Sequence, residues 1–242
     1  MQILRNALPF LLAAFASRAE VPEKFTNLKI LPRDISKQEL LGIMRGFSFS
    51  TGMRCEHCHA SQADPKAGLD FASDAKDTKR TARVMMQMVE VINRDHLSRI
   101  GKPAPFQVEC ATCHRGIRQP RTLNAVLAEK LEQKGVAEAT GLYRELRKKY
   151  YGAAAYDFSE TPLNILAESL LAKNKAAEAS AMMELNGEVN DPLSGWGLSV
   201  LAMAHRRSGE RDKAIADFQR LLQMNPKDEW AGKQLEEIKS GK

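Results

Sequence analysis

Two copies of the pattern Cys-x-x-Cys-His carry the most distinctive chemistry of this chain. They span residues 55–59 and 110–114, and they contain the only four cysteines among the 242 residues. Residues at i and i+3 share one face of a helical turn, so both thiols of one copy can form thioethers with a single porphyrin. The histidine that follows can then ligate the iron. The spacing therefore predicts two covalently bound haem c groups.

The residues predicted to hold the haems follow directly from the two motifs. The attachment residues are Cys55, Cys58, Cys110 and Cys113, and the first iron ligands are His59 and His114. An all-cysteine zinc site and a pair of redox disulfides are the alternatives for such cysteine pairs. The 51 residues between Cys58 and Cys110 exceed the usual gap in a zinc ribbon, and such a site does not require the adjacent histidines. Both observations favour haem.

The start of the chain is typical of a secretory signal. Arg5 precedes an apolar stretch over residues 8–16, and small residues follow. Cleavage fits either after Ala16 or after Ala19, and the apolar stretch is too short to span a bilayer. Because haem c is attached outside the cytoplasm, export and the haem motifs support each other. We expect a signal peptide over residues 1–19, a periplasmic or secreted protein, and no transmembrane segment in the mature chain.

The charge of the chain does not indicate a nucleic-acid partner. The formal net charge is +6, and removal of Arg5 and Arg18 with the signal lowers it by two. The four propionates of two haems then bring the charge to about zero. Aromatic residues make up only 6% of the sequence, without the interleaving of aromatic and basic residues that stacks bases. We expect a protein redox partner and no nucleic acid.

Each haem motif is preceded by a predicted helix with an apolar stripe. The first helix covers residues 36–47, where Ser36 and Glu39 form a capping box. The second covers residues 78–93 and contains three methionines in four positions. From spacing alone, such a methionine stripe is more often core packing than a set of ligands.

The stretch from about residue 27 to residue 116 resembles half of the cytochrome subunit bound to photosynthetic reaction centres. That four-haem family is built from repeats of helix, turn and Cys-x-x-Cys-His, and a methionine on the preceding helix is the sixth ligand of most of its haems. The matching text is NLKIL at residues 27–31 and ARVMMQM at residues 82–88. The resemblance implies that Met44 ligates the first iron and Met85 the second, with Met88 as the alternative to Met85.

This sequence also departs from the family pattern. Only two haem motifs are present, so the second haem pair of the family is missing. The resemblance therefore gives no support for docking on a photosynthetic reaction centre. Arg99 stands where the family has a histidine that reaches another haem, and we do not transfer that role.

The sequence beyond residue 119 predicts a series of helices. Residues 164–171 and 199–206 align at a shift of 35, and a period of about 34 residues is typical of tetratricopeptide units. Thr161-Pro162 and Asp191-Pro192 each place a capping residue before a proline, so we expect helices to begin there. The pattern predicts three helix pairs and a closing helix from about Asp228. The concave face of such an array usually holds a peptide or protein.

These observations predict an all-α protein that carries electrons. We expect a signal peptide over residues 1–19, a dihaem cytochrome domain over 20–119, and tetratricopeptide-like repeats over 120–242 that dock a redox partner. An iron with histidine and methionine ligands has no open coordination position, so we expect no enzymatic activity. The alternatives are a dihaem peroxidase with one open haem and a scaffold protein based on the repeats.

Overall fold

The computed structural model describes residues 21–64, 67–101 and 103–241. Over these residues the fold is all-α, as predicted, with a single pair of two-residue strands. The predicted signal peptide over residues 1–19 lies outside them. The chain divides into two compact units, Met1–Cys113 and His114–Lys242. The dividing line falls inside the second haem motif, and the domain boundary at residue 119 stays a prediction.

The first helix, α1, begins at the predicted capping box and covers Lys37–Thr51. The Ser36 hydroxyl accepts a hydrogen bond from the backbone N–H of Glu39 at 3.2 Å. The Glu39 carboxylate in turn accepts from the Ser36 N–H at 3.1 Å, which confirms the capping box. Gly52 ends the helix at φ 68°, in the left-handed conformation that suits glycine.

The rest of the first unit consists of short elements around one long helix, α3. The short elements are α2 (Cys55–Cys58), β1 (Ala60–Ser61) and β2 (Leu69–Asp70), and the two strands pair antiparallel. Helix α3 covers Asp77–Val91, which agrees with the predicted helix except at its end. There the chain continues through a π-helical turn, Ile92–His96, and a 3₁₀ turn, Leu97–Arg99. The last element is α4 (Cys110–His114), which includes the first residue of the second unit.

An amide side chain connects the end of α3 to the segment before the second haem motif. Asn93 donates from Nδ2 to the carbonyl oxygen of Val108 at 2.9 Å. It also accepts from the Val108 N–H at 2.8 Å. These two hydrogen bonds hold the extended segment that leads into α4 against the π-helical turn.

The second unit contains seven further helices. They are α5 (Leu123–Lys134), α6 (Val136–Tyr150), α7 (Thr161–Ala172), α8 (Ala176–Val189), α9 (Gly195–Ser208), α10 (Arg211–Met224) and α11 (Glu229–Ser240). Consecutive helices pack as pairs, and α11 closes the array. The core is aliphatic and aromatic, with Leu127, Tyr143, Leu163, Met182 and Phe218 among its fully buried side chains. The arrangement agrees with three helix pairs and a closing helix, while the tetratricopeptide assignment stays a prediction.

One of the two helix starts predicted at proline is confirmed, and the other is wrong. Helix α7 begins at Thr161 with Pro162 in its first turn, as predicted, although Glu160 and not Thr161 is the N-cap residue. Asp191-Pro192 does not begin a helix, because α9 starts only at Gly195. The Ser194 hydroxyl caps α9 by accepting from the Gly197 N–H at 3.2 Å. Leu193 is buried between the proline and this cap, so the chain packs into the core before it turns into the helix.

None of the helices in the described part of the chain combines the length and apolar character needed to cross a membrane.

Candidate haem-binding sites

The first Cys-x-x-Cys-His motif forms a single helical turn, α2. The Cys55 and Cys58 thiols are free, one exposed and one half-buried, and they lie one turn apart on the same side of the helix. His59 leaves the helix in an extended conformation, at φ −106° and ψ 135°. The helical turn therefore ends at the histidine, which is the C-cap residue of α2.

The environment of His59 favours a neutral imidazole. Its ring lies edge-on to Phe71, with the ring centroids 5.0 Å apart. Burial, followed by the charge of Lys79, lowers the pKa of His59 below its usual value. Nδ1 is buried and has no hydrogen-bond partner among the described residues. Because metal ligation requires the neutral ring, this setting suits an iron ligand.

The second motif forms α4, and the turn after it orients His114. Nδ1 of His114 lies 3.0 Å from the carbonyl oxygen of Ile117. A carbonyl oxygen can only accept, so Nδ1 must carry the hydrogen and the lone pair of the ring is on Nε2. This is the arrangement in which a histidine presents Nε2 to a metal with its orientation and tautomer fixed.

The cysteines of the second motif are held in the same kind of turn. The Thr112 hydroxyl accepts from the Glu109 N–H at 3.0 Å at the start of α4. Cys110 is half-buried and Cys113 is exposed. Burial is the main cause that raises the pKa of the Cys110 thiol above its usual value. Both cysteines are free, so both are available for thioether formation.

The candidate methionine ligands lie on the helices that precede the motifs. Met44 is half-buried on α1. On α3, Met85 is 40% exposed and Met88 is 45% exposed. Exposure therefore does not distinguish between these two methionines, and the choice of Met85 still rests on the resemblance. The assignments of Met44 to the first iron and Met85 to the second stay predictions.

The first unit offers an apolar surface that a porphyrin fits. Within its described residues only Leu40 and Leu97 are buried hydrophobic side chains. Other large apolar side chains are exposed, namely Phe49, Val84, Met85, Met88, Val91, Ile100 and Phe106. A unit of this size needs a substantial apolar core, and exposed apolar surface of this extent marks a binding site. Two covalently bound haems would bury such surface, so the residues present fit the group.

A charged cluster that sequence reasoning missed fixes α3 within the first unit. The Asp74 carboxylate lies 2.8 Å from Lys29 Nζ and 2.8 Å from Arg83 Nη1. The Asn27 amide donates to the same carboxylate at 2.9 Å. The hydrogen bond from Lys29 is the main cause that holds the pKa of Asp74 well below its usual range. The two stretches that carry the family resemblance contain three members of this cluster, namely Asn27, Lys29 and Arg83. That resemblance is the sequence signal from which the cluster could have been predicted.

Lys79, one turn before Arg83, fixes the loop that leads from the first motif to α3. Its ammonium group donates to the carbonyl oxygens of Phe71 and Ser73, each at 2.8 Å. Burial lowers the pKa of Lys79, although the Asp74 charge opposes this effect. Because Phe71 packs against His59, this lysine helps to hold the histidine in place.

Comparison with known families gives one match that covers most of the chain. The family described as photosynthetic reaction centre cytochrome C subunit matches residues 13–187. The match includes both haem motifs and extends beyond residue 116, through α5, α6 and α7 and nearly to the end of α8. No curated protein matches the chain.

Proposed function

The chain belongs to the photosynthetic reaction centre cytochrome c subunit family, and on that premise we propose that it is an exported dihaem c-type cytochrome. Membership implies covalently bound haem c and electron transfer to or from a redox partner. The proposal that there are two haems rests on the two attachment turns, α2 and α4. Export is proposed from the sequence pattern over residues 1–19.

The single observation that best supports the proposal is the hydrogen bond from His114 Nδ1 to the Ile117 carbonyl oxygen. This bond leaves Nε2 as the nitrogen that can ligate a metal, directly after the two cysteines of the same motif. A histidine with a purely structural role would not require both a fixed Nδ1–H and a position directly after two cysteines. We assign the same ligand role to His59, whose lowered pKa keeps its ring neutral.

The sixth ligands that we propose are Met44 for the first iron and Met85 for the second. Bound haem supplies an iron that changes between the ferrous and ferric states. A neutral thioether favours the ferrous state, and it fills the position that a peroxidase would keep open. The exposed apolar side chains of α3 would exclude water from the porphyrin that they cover.

We further propose that the helical repeats dock the redox partner. An open groove with a volume of about 600 Å³ lies in the second unit, and its lining includes Leu221, Met224 and Trp230. Met224 and Trp230 are exposed large apolar residues, as is Trp196 at the start of α9. Exposed aromatic and methionine side chains are enriched at protein interfaces.

Intact mass and optical spectra of the purified protein test the proposal. We expect a mass that exceeds the processed polypeptide by two haems, and low-spin spectra in both oxidation states. Replacing Cys55 and Cys58 by Ala should remove one haem, and replacing Cys110 and Cys113 should remove the other. A mass equal to the bare chain would disprove haem attachment. High-spin haem with rapid peroxide turnover would instead support the peroxidase.

A further inference from the structure

A polar cluster in the second unit has the composition and spacing of a metal site. It consists of Glu184 on α8, His205 on α9, and Glu210 immediately before α10. One potential ligand atom from each residue lies within 4.8 Å of the other two. We propose that these three side chains bind a divalent transition metal of the zinc type. The proposal is independent of the haems, because all three residues lie in the second unit.

The orientation of His205 is the strongest argument for this site. The residue is only 4% exposed, and its Nδ1 lies 2.7 Å from Oδ2 of the buried Asp217. Because a carboxylate accepts the hydrogen, Nδ1 carries it, and in the neutral imidazole the lone pair is then on Nε2. Nε2 is buried and makes no hydrogen bond within the described part of the chain. A histidine that donates to a carboxylate through one nitrogen and presents the other is the usual arrangement at a metal.

The distances around Nε2 match tetrahedral coordination. Nε2 lies 3.5 Å from Glu184 Oε1 and 3.6 Å from Glu210 Oε2. Ligand atoms at zinc–ligand distances of about 2.0–2.1 Å are separated by roughly 3.3–3.5 Å in a tetrahedron. The observed separations are too long for good hydrogen bonds. An imidazole lone pair and two carboxylate oxygens at these separations form a set of ligands that suits a divalent cation.

Lys213 supplies part of the required positive charge. Its ammonium nitrogen lies 2.5 Å from Glu184 Oε1 and 2.8 Å from Glu210 Oε2. An ammonium group has only donors and a single charge, so it leaves one of the two negative charges uncompensated. The Lys213 side chain is 54% exposed, so it can move into solvent when a metal takes its place. A divalent ion would balance both carboxylates and also engage His205.

The surrounding structure keeps the three ligands close together. The Ser180 hydroxyl donates to the other oxygen of Glu210 at 3.3 Å. Because the ligands come from α8, from α9 and from the start of α10, a bound metal would link two consecutive helix pairs. Zinc should therefore stabilise the repeats against unfolding, by an amount that increases with the logarithm of the free zinc concentration above the Kd.

Zinc uptake by the full-length, haem-loaded protein tests the proposal. After equilibration with Zn²⁺ and removal of free metal, elemental analysis should find one zinc per chain in addition to the haem iron. At a free zinc concentration of about 100 times the Kd, we expect the unfolding midpoint of the helices to rise by roughly 5–10 °C. Circular dichroism would follow that transition.

Four variants make the test specific. His205→Gln and Glu184→Gln should each lose the zinc, and Glu184 is exposed enough that its replacement should not disturb folding. Lys213→Gln should bind zinc several-fold more tightly, because the competing ammonium group is removed. Glu188→Gln is the matched control, since this exposed carboxylate one turn along α8 pairs with Arg144. The proposal is overturned if the wild type binds no more zinc than Glu184→Gln, or if Lys213→Gln binds zinc more weakly.

Discussion

The imidazole Nδ1 of His114 donates to the Ile117 carbonyl oxygen across a turn of three residues. Both intervening residues, Arg115 at φ 48° and Gly116 at φ 85°, are in the left-handed region. The orientation of the second histidine therefore depends on backbone conformation just after the motif. His59 in the first motif has no such bond at Nδ1 among the described residues. The two histidines thus differ in basicity, and we expect two haems with different potentials.

Gly116→Ala should disturb the second haem without affecting the first. A Cβ at φ 85° is strained by about 1–2 kcal/mol, although it would meet no described atom within 4 Å. Relaxation of the turn would weaken the bond to His114 and raise the potential of one haem. A redox titration followed optically would detect the change. Gly232→Ala within α11 is the control, and it should stabilise the protein by about 0.5–1 kcal/mol and leave both potentials unchanged.

Met85→Ala should convert one of the two irons from low-spin to high-spin. Loss of the neutral thioether should also lower the potential of that iron, because methionine favours the ferrous state. Absorption spectra with added cyanide would report the opened position. Met88→Ala is the matched control, since Met88 lies on the same helix and is similarly exposed. If Met88→Ala opens the haem and Met85→Ala does not, the ligand assignment is wrong by one helical turn.

Asp74→Asn should destabilise the protein in a pH-dependent way. The folded-state pKa of Asp74 is lowered, so its carboxylate contributes stability above the unfolded-state pKa of about 3.9. That contribution is lost as the pH falls toward the lower folded-state value. The difference in unfolding midpoint between wild type and variant should therefore be constant from about pH 7 to pH 5 and shrink below about pH 4.

Denaturant unfolding across this pH range measures that difference. Asp95→Asn is a useful comparison, because the pKa of Asp95 is also lowered, mainly by Arg94. Arg94 and Asp95 are neighbours in sequence, and both side chains are exposed. An exposed pair of this kind contributes little to stability. An equal effect of both substitutions would contradict the role given to the Asp74 cluster.

Truncation after Gln119 tests whether the repeats dock a partner. The shortened protein keeps both motifs and the Ile117 carbonyl, so we expect it to retain two haems and their potentials. It should exchange electrons slowly with its native partner, because the proposed docking surface is missing. Electron-transfer rates in native extract would be compared at equal haem concentration. If the truncated protein loses its haems, the repeats serve as structural support. If it transfers electrons at the full rate, the docking proposal is wrong.

Much of the local structure was predictable from neighbouring residues. The capping box at Ser36 and the start of the last helix after Asp228 were confirmed, because both depend on residues within one helical turn. Asp191-Pro192 was misleading, since the cap at Ser194 competes with it over the same short segment. The Asp74 cluster and the group around His205 were not predicted. Their members are far apart in sequence, so only the tertiary path of the chain brings them together.

The two hydrogen bonds between Asn93 and Val108 hold together the two ends of the loop between α3 and the second motif. The placement of the second attachment turn relative to α3 is therefore set by one amide side chain and not by the number of residues between them. We therefore expect changes in the length of this loop to leave the attachment turn in place as long as Asn93 is kept. The number of residues between α3 and the second motif is then a poor guide to the geometry of that motif.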